Sequence, residues 1–305
     1  MKILSCITNI KEIELLKKEG VDELYFGLSY RYIPNYGKFG NIKTLNESKK
    51  IINESHKIGL KAYLAANGLN FGKKYDNIIK YIKEMIDSGI DGIIVADLFL
   101  LKELKKYKIP LHISSVASIF NTEYLRFLHK NFTFTRIILP PQLSYNQSSK
   151  MIDYCKKNKI ETEVFFFKFF GCPYINSNCF LHDSKHINLH KIKCNLQPII
   201  KSIENINLNR NNEIMNKIIF ERMNCSNFPR IFNAASFFDF YVNGVEYTKY
   251  GTRTDDTKTK IKKVKFIKFA ILYIESLLKK YNIQKAKEIF SKSIDELGEH
   301  IWKKD

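Results

Sequence analysis

Short apolar runs alternate with amphipathic stretches along the first two-thirds of the chain. The runs are Lys2 to Thr8, Glu23 to Phe26, Lys61 to Ala65, Gly92 to Ala96, Leu111 to Ser114, Thr135 to Leu139 and Glu161 to Phe167. Near-continuous apolar runs of this length predict parallel strands buried on both faces. Between them, Ile10 to Glu19, Leu45 to Ile58, Tyr75 to Asp87, Leu98 to Lys106 and Ser148 to Asn158 place apolar residues at helical spacing. Gly20, Gly59 and Gly89 stand where helices end before the next strand. Alternating strand and helix units with no nucleotide-binding glycine fingerprint predict an α/β fold. The expected form is a (β/α) TIM-like barrel with closing C-terminal helices. An open, doubly wound parallel sheet is the alternative.

The pattern breaks after Phe170. From Gly171 to about Arg230 the chain is polar and irregular, with Pro173, Pro198 and Pro229 and many Asn. A segment this long without regular structure is expected to be functional or pinned by something. Phe237 to Val242 and Val245 to Lys249 read as strands, and Lys258 to Lys280 and Gln284 to Leu297 as closing helices. The predicted organisation is barrel units over 1–170, a cysteine-bearing segment over 171–230, and the final strands and helices over 231–305. The last part is expected to belong to the same domain as the first.

Composition adds three constraints. The 305 residues are 45% hydrophobic, enough for a sizeable core. The longest apolar runs are strand-sized, so no membrane span is expected, and the start of the chain carries no signal-peptide pattern. The expected location is cytoplasmic. The net charge of +19 makes RNA or another polyanion a candidate partner, although Lys-rich solvated faces would give the same sum.

Cysteine is the chemically informative residue. Cys172, Cys179, Cys194 and Cys225 all fall in or beside the irregular segment, separated by six, fourteen and thirty residues. Four thiolates complete either a tetrahedral zinc site or a cubane iron–sulfur cluster. The paired knuckles usual for structural zinc are missing, and wide, uneven spacing suits a cluster. Four unconnected buried thiols are the competing reading. Cys6, in the first strand run, and Cys155, on an amphipathic stretch, read as buried thiols.

In a barrel the chemistry sits at the C-terminal ends of the strands. Asn67, Asp97, His112 and Ser115 lie at or near such ends. His112 and Asp97 could do acid–base work. His112 could equally be a core histidine, and Asp97 the N-cap of the helix that follows. Arg253 could hold an anionic group bidentately or lie on the surface. His182, His186 and His190 are spaced by four, but their polar, Lys-containing context reads as a solvated loop. No nucleophile elbow or His-Glu-x-x-His motif points to a serine or zinc protease.

The chain resembles the peptidase U32 family. The resemblance rests on Gly20-Val21-Asp22-Glu23-Leu24-Tyr25-Phe26-Gly27, Lys61 to Asn67, Gly89 to Asp97, and His112-Ile113-Ser114-Ser115 followed by Asn121. It continues through Glu163-Val164-Phe165, Gly171-Cys172, Cys179-Phe180-Leu181, Cys194 to Pro198 and Lys249-Tyr250-Gly251-Thr252-Arg253, in family order. The resemblance implies a barrel-like fold and a [4Fe-4S] cluster on Cys172, Cys179, Cys194 and Cys225. It also implies oxygen-independent hydroxylation of an RNA base or a quinone-type ring. For RNA-acting members it implies prephenate as a co-substrate, and it makes a heterodimer with a second U32-like protein a candidate assembly. A collagenase-like protease is the weaker alternative. Val116, Pro140-Pro141-Gln142 and Asn176-Ser177 stand where the family pattern has Gln, Arg-Glu and Ser-Gly, so a non-catalytic partner subunit is a second alternative.

Overall fold

The computed structural model describes residues 1–29, 31–35, 41–68, 75–166, 234–253 and 255–302. Cys172, Cys179, Cys194 and Cys225 lie outside these residues, as do His182, His186 and His190.

Eight strands form a closed parallel barrel in chain order: β1 (Lys2–Cys6), β2 (Glu23–Gly27), β3 (Lys61–Ala66), β4 (Gly92–Val95), β5 (Leu111–Ile113), β6 (Arg136–Ile138), β7 (Glu161–Phe165) and β8 (Tyr247–Tyr250). Closure is direct, because β8 pairs in parallel with both β7 and β1. The open doubly wound sheet is thereby excluded. Among the described residues the α-helices are α1 (Glu12–Lys18), α2 (Leu45–Lys57), α3 (Tyr75–Asp87), α4 (Leu98–Leu104), α5 (Thr122–Asn131), α6 (Tyr145–Lys157), α7 (Ala234–Val242), α8 (Thr257–Leu278) and α9 (Ile283–Trp302).

Local chemistry starts and stops these helices where the sequence signals stand. Thr44, Asp97, Asn121, Ser144 and Asp256 each accept a backbone N–H at a helix start, and Ser144 forms a capping box with Gln147. Gly20, Gly59 and Gly89 take φ of 87°, 71° and 86°, the left-handed region that ends a helix without a Cβ clash.

One predicted strand is a helix. Phe237 to Val242 is rich in aromatic residues and reads as strand by propensity, yet it lies in α7. Its side chains are buried nearly all round, where Phe237 packs edge-on to Phe166 and Phe238 tilts against Phe290 of α9. A short run that is apolar apart from Asp239 cannot distinguish strand from buried helix by periodicity. A buried ion pair staples α8 to α1: Lys260 Nζ lies 2.9 Å from both carboxylate oxygens of Glu12, which also accepts the Thr8 N–H at 2.8 Å.

Candidate functional site

The barrel axis is charged. β2 and β6 are not neighbours in the sheet, so a contact between them crosses the interior. Arg136 of β6 makes that crossing, its Nη1 donating to Glu23 of β2 at 2.8 Å and to Glu163 of β7 at 3.1 Å. Its Nε donates to Glu161 at 2.9 Å, and its guanidinium carbon lies 3.4 Å from the Tyr247 ring centroid. Lys249 of β8 reaches Glu163 at 3.1 Å and sits 3.9 Å from the centroid of the Tyr25 ring. Glu23, Arg136, Glu163 and Lys249 are all buried, whereas the Glu161 side chain is 40% exposed. Two buried cations thus face two buried anions.

These charges reach the axis through strand alternation. Glu161 and Glu163 are two apart on β7, and Tyr247 and Lys249 two apart on β8, so each pair shares a face. Register carries that face round the barrel, from Tyr25 to Tyr63 and from His112 to Arg136. Tyr63 completes the cross-axis set by donating its hydroxyl to Glu23 at 3.2 Å.

The electrostatics follow from burial. Burial opposes the charge on Arg136, but the carboxylates of Glu163, Glu23 and Glu161 outweigh it and hold its pKa above the usual arginine value. For Lys249 burial wins over Glu163, and its pKa is lowered. His112 is pushed well below the usual histidine value, by burial first and then by the cations Arg136, Lys249 and Lys61. Its imidazole is therefore neutral at physiological pH. Its ring lies 4.6 Å from that of Tyr63, and its buried Nδ1 has no hydrogen-bond partner.

Above this layer the strands end in small residues. Gly27, Ala65 and Ser114 follow Tyr25, Tyr63 and His112 on the same faces, and Gly251 follows Lys249 and accepts the Tyr25 hydroxyl at 3.2 Å. The candidate residues surround this mouth. Asn67, after β3, donates to Ser114, after β5, at 3.0 Å. Asp97 caps α4 by accepting the N–H groups of Phe99 and Leu100 at 2.9 and 3.1 Å, and it also accepts the Tyr75 hydroxyl at 2.9 Å. Asn121, part of the motif on which the resemblance rests, is the N-cap of α5.

Arg253, after β8, lies over the end of β2. Its Nη1 donates to the side-chain oxygens of Asn35, at 2.8 Å, and Asn41. Asn35 is itself oriented, since its Nδ2 donates to the carbonyls of Leu28 and Ile33. Glycine at 27 is required by this approach: a Cβ there would stand 2.1 Å from Arg253 Nη1 and 2.3 Å from Asn41 Oδ1. The structure thus places Asn67, Asp97 and Arg253 at the mouth and His112 one layer below it. Cys6 and Cys155 are buried free thiols, with burial raising their pKa values to about 11 and about 12.

The sequence reading missed the axial ion network. The available signal was charge recurring every second residue inside strand runs, as at Glu161 and Glu163. Among the described residues no three His, Cys, Asp or Glu side chains cluster as a metal site, and no helix is long and apolar enough to cross a membrane.

The family model for peptidase family U32 matches residues 8–186, more than half of the chain. The chain belongs to this family. A tRNA hydroxylation protein P of Helicobacter pylori (strain J99) is 26% identical over 150 residues, covering 48% of this chain and 35% of that relative. A protein of Methanocaldococcus jannaschii described as the uncharacterized protease MJ0090 is 25% identical over 186 residues, covering 59% of this chain and 44% of its own length. The solved U32 peptidase Mk0906 matches 55% of this chain and 69% of its own at 15% identity and a TM-score of 0.44. The matched stretch thus spans between a third and a half of the two curated relatives.

Proposed function

We propose that this U32 chain supports oxygen-independent hydroxylation of an RNA base, using a [4Fe-4S] cluster held by Cys172, Cys179, Cys194 and Cys225. The observation that carries the reading is the family match over residues 8–186, with curated relatives described as tRNA hydroxylation proteins. The donor set suits the group: four thiols in one stretch, without zinc-type knuckles. That stretch follows β7 in the sequence. A bound cluster would supply one-electron transfer. The chain's own residues would do the rest. Asn67, Ser114 and Arg253 offer hydrogen bonds to a polar ring at the mouth, and neutral His112 lies one layer beneath them. Prephenate, implied by the same resemblance, is the co-substrate to supply.

Anaerobic purification with iron, sulfide and zinc analysis tests the cofactor. About four irons and four sulfides per chain are expected, with loss of the visible absorption when any of the four cysteines becomes Ala. One zinc and no sulfide would overturn the cluster. Nucleoside mass spectrometry of host RNA, with and without the chain, tests the activity: a nucleoside carrying one added oxygen is expected only with it.

The departures at Val116 and Pro140-Pro141-Gln142 favour one second reading, a cluster-binding partner subunit of another U32-like protein. Purification of a stable monomer that hydroxylates RNA alone would remove it.

A further inference from the structure

The mouth carries aromatic side chains outside the core, Phe99 exposed and Tyr32 and Tyr75 half-buried. On α4 the buried face is filled by Leu100, Leu101 and Leu104, yet Phe99 is 46% exposed. The Phe99 ring lies 4.3 Å from that of Tyr75 at the start of α3, and the Tyr75 hydroxyl is fixed on Asp97. In the adjoining loop after β2, Tyr32 packs edge-on to Tyr81 of α3. The Arg31 guanidinium lies 4.5 Å from the Tyr32 ring centroid and donates to its hydroxyl at 2.6 Å. Three consecutive strand-to-helix connections of the mouth thus carry aromatic rings in a loop or in the helix that follows, oriented by hydrogen bonds or by neighbouring rings.

The same flank is basic. Below Phe99, Lys102, Lys105 and Lys108 are exposed, with Glu103 the acidic residue among them. An exposed ring and half-buried neighbours with an arginine plane among them suit the faces of unpaired bases, and lysines a few residues away suit the phosphates that follow. A purely apolar protein partner would not call for the lysines.

We propose that this rim, centred on Phe99 and Tyr75 with Arg31–Tyr32 beside it, is where single-stranded RNA stacks as its target base enters the barrel mouth. The proposal rests on the RNA reading above and adds the surface and the form of RNA it takes. Stacking of one base is worth about fivefold to a hundredfold in affinity.

The test is filter binding of the full chain, anaerobically prepared, to bulk tRNA and to an unstructured RNA oligomer across a salt series. Phe99→Ala and Tyr32→Ala are compared with wild type. Phe127→Ala serves as control, because Phe127 is equally exposed on α5, outside the three connections. Both rim variants should bind the unstructured RNA about fivefold to a hundredfold more weakly, at unchanged salt slope, with the control at wild-type affinity. Wild-type affinity in both rim variants would overturn the rim while leaving RNA binding intact. Failure of the wild-type chain to bind either RNA would instead overturn the RNA reading and the rim with it.

Discussion

Glu163→Gln tests the axial ion network most directly. The substitution keeps the size and one acceptor oxygen of Glu163 but removes its charge. In the native barrel this fully buried carboxylate stands 3.1 Å from both Arg136 Nη1 and Lys249 Nζ. Each contact is worth about 5 kcal/mol at an effective dielectric near 20, before desolvation is subtracted. Arg136 keeps Glu23 and Glu161 in the variant. Lys249, buried and already lowered in pKa, loses its carboxylate partner. Breaking a buried pair from one side costs about 3 to 5 kcal/mol. The loss has a ceiling, since Lys249 can shed its proton, which costs about 4 to 5 kcal/mol at pH 7 from its unperturbed value. Glu161→Gln is the internal comparison. That carboxylate is 40% exposed, and its loss should cost about 1 kcal/mol or less. The assay is urea unfolding at pH 7 by circular dichroism, with Lys249→Met and the double variant Glu163→Gln/Lys249→Met completing a cycle. The double variant should recover most of the single-variant loss, because it leaves no lone buried charge. Glu163→Gln within about 1 kcal/mol of wild type would refute the reasoning.

Two further outcomes follow from the same region. His112→Phe keeps a ring against Tyr63 but removes a group that folding holds neutral. Its folded pKa lies below the unfolded value near 6.5, so the unfolded chain binds the extra proton, and wild-type stability falls as pH drops below about 6.5. The slope from this group approaches about 1.4 kcal/mol per pH unit, and His112→Phe should flatten acid unfolding by that amount. Equal slopes would show that His112 is not the group responsible. Gly27→Ala should displace the Arg253 guanidinium at a modest stability cost of about 1 to 3 kcal/mol, because the nearest atom in the way ends a flexible side chain. Its RNA-hydroxylation defect should match that of Arg253→Gln in the nucleoside assay; a fully active Gly27→Ala would remove Arg253 from the site.

The parts of the fold that repeat were the legible parts. Apolar runs placed all eight strands, glycines at 20, 59 and 89 marked helix ends, and Asp97 read as a cap, because each depends on neighbours a few residues away. The charged axis depends on residues far apart: Arg136 and Glu23 are 113 positions apart and meet only when the barrel closes. The side of the strand they occupy was legible in principle. Glu161 and Glu163 sit at alternate positions of a mostly apolar run, and alternate charges in a buried strand must find partners on one face. The apolar run of α7 failed for the opposite reason. Its polar positions, Ser236 and Asp239, are too few in so short a run to reveal a period, and the helices packed around it decide its form.

Two buried cations and two buried anions are an expensive way to fill a barrel. Hydrocarbon side chains of similar volume would commonly give an equal or higher stability. The network is also placed in a particular layer, directly beneath the small residues that floor the mouth, where it fixes Lys249 and its cations add to the burial that keeps His112 neutral. Stability and function can be separated with the variants already named. The double variant Glu163→Gln/Lys249→Met leaves the barrel close to wild-type stability but removes the cation beneath the mouth. Folding that survives while RNA hydroxylation is lost would assign the axial charges to chemistry. Folding and activity that both survive would leave them as a means of setting strand register, since only one alignment of β2, β6, β7 and β8 brings all four charges together.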